Sequence, residues 1–263
     1  MQFDLSDKLA LITGGSRGIG KAVALTLADQ GMNIAFCGRT LETLEATAEE
    51  IRHRGVKAFP FQADVSRLGD INDLVDKTLG GSNQIDVLVN NAVTSTSARF
   101  DELTDDEFQY HIDVKLMAYI RMARIVLPFM ADRGGGRIVN VGGMTARIVA
   151  PLRMTNGVVN AGVANFTKQF ANYAAQHNVT VNCVHPGYTA TERVTEIFER
   201  EAIESNCSIE AVINSRLSDI PLGKLVQPED IAASVLFFCS PLANMVTGQC
   251  IAVDGGSGEA INY

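Results

Sequence analysis

Residues 13–20 read Thr-Gly-Gly-Ser-Arg-Gly-Ile-Gly, and Gly14, Gly18 and Gly20 fall between a short apolar run and the start of a helical pattern. Glycines placed there let the backbone turn tightly and point amide N–H groups, backed by a helix N-terminus, at a bound anion. The turn from Gly14 through Ser16, Arg17, Gly18 and Ile19 to Gly20 is therefore expected to cradle a pyrophosphate. Lys115 is a second candidate for chemistry, because it interrupts a helical pattern (Ile112, Leu116, Met117, Ile120) that is apolar on most sides. An unpaired ammonium is costly there, so Lys115 is expected to point into a polar site or to meet a carboxylate, such as Asp113 or one from another subunit. His111, one turn earlier on the same face, titrates near neutral pH and is either a proton carrier or a structural histidine.

Seven short apolar runs, at 9–13, 33–37, 58–62, 87–90, 137–141, 179–185 and 250–253, recur with longer helical patterns between them. The alternation predicts an α/β fold, a doubly wound seven-stranded parallel sheet with helices on both faces. Ligands of such sheets bind outside the carboxyl ends of the strands, which is where the glycine turn lies. No repeat or low-complexity linker divides the chain, so residues 1–263 are expected to form one domain. From 191 to 222 the rhythm gives way to a Glu-rich helical pattern ending at Pro221-Leu222-Gly223. That stretch predicts a helical lid over the site, with plain surface packing as the alternative.

A chain of 263 residues, 46% hydrophobic and 20% charged, can bury a large core. Its net charge of −8 repels phosphate backbones and anionic membranes, so neither nucleic acid nor membrane is expected as a partner. The five cysteines (Cys37, Cys183, Cys207, Cys239, Cys250) are odd in number, lack C-x-x-C spacing and mostly sit in apolar runs. They imply a reduced, cytoplasmic setting and no metal site. Residues 1–8 are polar and acidic where an export signal is basic and then apolar, and no apolar run approaches the roughly 18 residues of a membrane span.

The spacing of the turn, G-x-x-x-G-x-G, resembles the short-chain dehydrogenase/reductase family. Further motifs follow in that family's order over nearly the whole chain: Asp64-Val65, Asn90-Asn91-Ala92, Pro186-Gly187 with Thr191, and Val253-Asp254-Gly255-Gly256. The resemblance implies a Rossmann fold in which Asp64 and Val65 flank an adenine, and Asn90, Asn91 and Ala92 line the cofactor channel. Pro186, Gly187, Thr189 and Thr191 then hold the nicotinamide end, with Asn160 nearby. It further implies a small-molecule substrate and a homotetramer, or a homodimer, paired through the helices that carry Lys115 and Asn160 and through the C-terminal strand. At the end of the second strand, where a carboxylate would grip the ribose of NAD, the chain reads Gly38-Arg39-Thr40. Arg39, with Arg17 on the same side, is expected to pair with a 2′-phosphate, so NADP(H) is expected in preference to NAD(H). The alternative for both arginines is a solvated surface charge.

Carbonyl-reducing members of that family use Asn, Ser, Tyr and Lys, the last two spaced Y-x-x-x-K. A phenol, with a pKa of about 10, exchanges a proton near neutrality only when an ammonium one turn away stabilises its anion. The aligned positions here hold Lys115, Gly143, Asn156 and Asn160, and none of Tyr110, Tyr119, Tyr173, Tyr188 and Tyr263 has a lysine four residues later. The resemblance and its departures together imply an oxidoreductase with an atypical active site, in which Lys115, Asn156 and Tyr188 are the candidate catalytic residues. Lys115 takes over the missing ammonium's place at the nicotinamide ribose. Asn156 orients substrate without acting as acid or base, or serves as a core amide, while Tyr188 offers a phenol or a pocket wall. Arg153, Gly143 and Thr145 are the candidate substrate contacts, and Arg153 predicts an acidic group such as a carboxylate on the substrate, or else makes a surface salt bridge. Two further classes stay open: a cofactor-binding sensor or partner subunit without turnover, and a lyase or isomerase on the same fold.

Overall fold

The computed structural model describes residue 3 and residues 5–258. Seven strands, β1 (Leu9–Thr13), β2 (Asn33–Gly38), β3 (Ala58–Gln62), β4 (Val87–Asn90), β5 (Gly136–Val141), β6 (Val179–Pro186) and β7 (Cys250–Val253), form one sheet in the order β3-β2-β1-β4-β5-β6-β7. Every neighbouring pair is parallel. Each of the seven apolar runs falls on a strand, and the architecture is the expected Rossmann-type α/β fold. Nine α-helices lie among the described residues: α1 (Gly18–Ala28), α2 (Leu41–Arg52), α3 (Leu68–Ser82), α4 (Asp105–His111), α5 (Ala118–Asp132), α6 (Met154–Ala174), α7 (Glu192–Glu204), α8 (Ile209–Ser218) and α9 (Pro228–Cys239).

Alternation along the strands explains the two-sided core. In β1, Ala10 and Ile12 pack into the layer of α1, α2 and α9, while Leu9 and Leu11 pack into the layer of α3, α5 and α6. Such central strands are buried on both faces and so read as continuous apolar runs. Each fully buried leucine or isoleucine contributes about 1.5–3 kcal/mol. The chain leaves β1 toward β2 and β3, then returns to place β4 on the other side of β1, and this reversal opens a crevice at the strands' carboxyl ends.

The 191–222 segment holds α7 and α8, which close a satellite cluster of Phe198, Ala202 and Val212 with Tyr188 packed against it. No helix among the described residues is long and apolar enough to cross a membrane. All five cysteines are free, with Cys37, Cys183 and Cys239 buried, Cys250 half-buried and Cys207 exposed.

Candidate active site

The crevice is a cleft of about 440 Å³ with the glycine turn as its floor. Gly14 has φ +68°, a left-handed conformation that side chains disfavour, and a Cβ on Gly20 would sit 2.1 Å from the Gly14 carbonyl oxygen. Only glycine lets α1 begin this close to β1. The turn is bolted to β4, because Asn91 Nδ2 donates to the carbonyls of Thr13 (3.1 Å) and Gly14 (2.9 Å). Thr13 Oγ1 in turn accepts the N–H groups of Asn91 and Ala92. Of the expected cofactor residues, those of the turn, Arg39, Asp64, Val65, Asn91, Ala92 and Thr191 line the cleft. Asn90 lies behind it, wholly buried and donating to Asn140 Oδ1 at 2.9 Å. Asn160, Pro186, Gly187 and Thr189 are also outside the cleft lining.

The cleft fits a phosphorylated dinucleotide on its own geometry. At the adenosine end Gly38 approaches Ser16 so closely that a Cβ would meet its Oγ at 2.8 Å. Among the described residues Arg39 makes no ion pair and its guanidinium donates only to Tyr110 Oη, at 3.4 Å, which leaves it available to a phosphate. Arg17 is also at the rim, 3.6 Å from Glu192, both side chains largely exposed.

Lys115 is outside the cleft lining, next to Val114, which is part of it. The backbone widens into a π-helical turn over Ile112–Met117 between α4 and α5, a distortion that often marks functional sites. It carries Lys115 inward, 3% exposed, where Nζ donates to the Gly142 carbonyl at 2.8 Å and stands 6.0 Å from the centre of the Tyr119 ring. Burial lowers its pKa from 10.5 to about 7; Cys183 partly opposes that fall and Arg193 adds to it. The alternative pairing with Asp113 does not form, since Asp113 is bound by Arg121 at 3.1 Å. Next along β5, a Cβ on Gly143 would lie 2.6 Å from Asn160 Nδ2, which donates to Thr145 Oγ1 at 2.8 Å. Asn160 Oδ1 is buried and has no hydrogen-bond partner among the described residues. Lys115 and Asn160 thus flank the same Gly142-Gly143 step, from α5's approach on one side and from α6 on the other.

Asn156 is 7% exposed and loosely held, donating to the Thr94 carbonyl and accepting from Ser95 Oγ, both at 3.4 Å. Beside it, Thr96 Oγ1 lies 2.9 Å from His111 Nε2, while His111 Nδ1 is buried without a partner among the described residues and burial depresses the ring's pKa. Tyr188 packs with the α7–α8 segment. Its ring packs against Phe198 at 5.8 Å and under the Arg216 guanidinium at 5.7 Å, making it part of the α7–α8 cluster. Tyr119 Oη is enclosed between the Val141 and Ala92 carbonyls, at 3.0 and 3.3 Å, and burial pushes its pKa well up. Tyr263 lies outside the described residues. Arg153 forms no ion pair among the described residues, whereas Arg147 donates to the Cys250 carbonyl.

Arg193 was not foreseen. It lines the cleft, donates to the Val93 carbonyl at 3.2 Å and forms no ion pair among the described residues, although the charge of Glu196, in the same cleft, acts on it. The sequence does carry a signal for it, a cation in the first turn of α7, where the helix dipole favours an anion.

Fold, cleft and glycine turn together place the chain in the short-chain dehydrogenase/reductase family, and the family profile described as enoyl-(acyl carrier protein) reductase matches residues 14–258. The chain is 30% identical over 259 residues to the NADPH-dependent reductase BacG of Bacillus subtilis (strain 168), covering 98% of this chain and 100% of that protein. It is 34% identical over 254 residues to a 3-oxoacyl-[acyl-carrier-protein] reductase of Synechocystis, covering 96% and 97%. Among solved structures it is similar to L-sorbose reductase from Gluconobacter frateurii complexed with NADPH and L-sorbose, with TM-score 0.95, 28% identity, and coverage of 99% and 100%.

Proposed function

We propose that the protein is an NADPH-dependent reductase that acts on a small carbonyl compound bearing an acidic group, or on the corresponding alcohol in reverse, through a non-standard active site. The observation that carries this reading is Lys115, an ammonium buried against the Gly142 carbonyl with no carboxylate paired to it among the described residues. The cofactor reading is supported by Arg39 at the end of β2, which forms no ion pair among the described residues, and by the NADPH-dependent relatives. NADPH, when bound, supplies the hydride.

The chain's own residues then have three tasks. The glycine turn and Arg39 hold phosphate groups, which fixes the cofactor's position and removes much of the entropic part of the barrier. Lys115 holds a proton at Nζ, and with a pKa near neutrality it can place positive charge where oxygen becomes negative, then release the proton. Asn156 and Ser95 orient the polar group of the substrate but have no proton to give near pH 7. Arg153 and Arg193, neither in an ion pair among the described residues, receive the acidic group of the substrate. The atypical site departs from the family's phenol–ammonium pair in that one buried amine serves in place of both.

The test is a panel of carbonyl compounds with and without carboxylate or phosphate groups, offered with deuterium-labelled NADPH. The expected result is loss of reduced nicotinamide with deuterium carried into an acidic product. Tight NADPH binding with no transfer to any member would instead identify a cofactor-binding protein without turnover, and product formed without cofactor consumption would identify a lyase or isomerase.

A further inference from the structure

A second cluster of reactive side chains lies where β6 meets β7. Their register sets Cys183 directly beside Cys250, and His185 follows two residues later on the same face of β6. One ligand atom from each of the three lies within 4.8 Å of the others, and Cys183 Sγ is 3.9 Å from His185 Nε2. Two thiols and an imidazole this close suit either a soft cation or a two-electron dithiol.

His185 decides between them. Its Nδ1 accepts the Gly143 backbone N–H at 3.0 Å, and that hydrogen is fixed by the peptide plane. The neutral ring therefore carries its proton on Nε2, facing the sulfurs. A metal-bound imidazole needs the reverse, a bare Nε2 and an Nδ1–H donated to an acceptor, which here would set two N–H groups against each other. An Nε2–H aimed at sulfur favours a thiolate instead.

We propose that Cys250 and Cys183 form a redox-active dithiol that small peroxides oxidise to an intrachain disulfide, with Cys250 attacking and Cys183 resolving. Cys250 is the reachable member, being half-buried, whereas Cys183 is fully buried. A hydrogen bond from the Cys183 thiol, followed by those of His185 and the charge of Arg147, pulls the Cys250 thiol below its ordinary pKa, and the Cys183 thiol is pushed up. The Cys250 thiolate attacks one peroxide oxygen. The O–O bond breaks, a sulfenic acid forms, and the departing oxygen takes a proton to leave as water or an alcohol. Cys183 sulfur then attacks the Cys250 sulfur; the S–S bond forms as the S–O bond breaks, and hydroxide leaves as water with the Cys183 proton. Two electrons pass from the sulfur pair to the peroxide. Facing residues on neighbouring strands lie about 4.8 Å apart, inside the Cα span that a disulfide accepts. The dithiol also borders the active site, because a Cβ on Gly142, whose carbonyl holds Lys115, would lie 3.1 Å from Cys183 Sγ.

The experiment uses the full-length wild-type protein, treated with stoichiometric hydrogen peroxide, then unfolded and alkylated. Two of its five thiols should be lost, the mass should fall by two hydrogen atoms, and digestion should yield a 183–250 cross-linked peptide that dithiothreitol releases. Cys250→Ser, with folding confirmed by its melting curve, should keep all its remaining thiols. Five alkylatable thiols after treatment, oxidation confined to the exposed Cys207, or stoichiometric zinc or copper in the purified wild type that Cys250→Ser lacks would each overturn the proposal. None of these readouts depends on turnover, so the test is independent of the proposed reductase activity.

Discussion

Replacing Lys115 by methionine should make the protein more stable and nearly inactive. Lowering the amine from 10.5 to about 7 makes its charged form roughly 5 kcal/mol less favourable inside the fold than in water, at about 1.4 kcal/mol per tenfold change. Because the folded pKa lies below the unfolded one, that penalty is complete below about pH 7, where both states hold the proton. From about pH 7 to 10.5 the folded amine is neutral while the unfolded one stays protonated, so the penalty becomes the cost of removing that proton, which falls steadily with pH and is gone above about 10.5. Methionine removes the penalty but leaves the Gly142 carbonyl without its donor, a loss of about 1–3 kcal/mol. The net gain at about pH 6 is then roughly 2–4 kcal/mol, or roughly 5–15 °C in melting temperature for a chain of this size. At about pH 10 the gain should vanish or reverse. Melting curves of wild type and Lys115→Met at both pH values check this, and turnover should fall about 10²–10⁴-fold in the same variant. A variant that melts below wild type at pH 6, or a gap that does not move with pH, would refute the assignment of Lys115 as a buried, strained cation.

Arg39→Met should weaken NADPH binding about tenfold to a hundredfold, the value of one charge-assisted hydrogen bond, while NADH affinity stays unchanged; titration by nicotinamide fluorescence checks it. Arg153→Met should erase the preference for a carboxylate-bearing substrate over its amide, again by about tenfold to a hundredfold in kcat/KM. Gly20→Ala should abolish cofactor binding, since the new methyl would start 2.1 Å from the Gly14 carbonyl oxygen, and calorimetry with NADPH reads this directly.

Much of this molecule is legible along the chain because its signals are local. The strands of a doubly wound sheet are buried on both faces, so each appears as an unbroken apolar run, and the glycine turn appears as spacing. Lys115 was visible as a charge in the wrong place. Its partner was not, because the Gly142 carbonyl is 27 residues away and the π-helical turn that swings the side chain inward leaves no mark in composition. Position in the chain also leaves the surroundings of two residues unread. Tyr188 follows Pro186-Gly187, yet its ring is claimed by Phe198 and Arg216 of the α7–α8 cluster. Asn90 precedes Asn91, yet strand alternation sends it behind the cleft to Asn140. The pairing of Cys183 with Cys250 is set only when β7 docks on β6.

The central claim, that one buried amine replaces the phenol–ammonium pair, is tested most directly by NMR titration of the protein carrying isotope-labelled lysine side chains, with NADP⁺ bound. One lysine resonance should titrate with a midpoint near 7 in wild type and be missing from Lys115→Met. Lysine signals that all titrate in the ordinary range near 10 would contradict the claim.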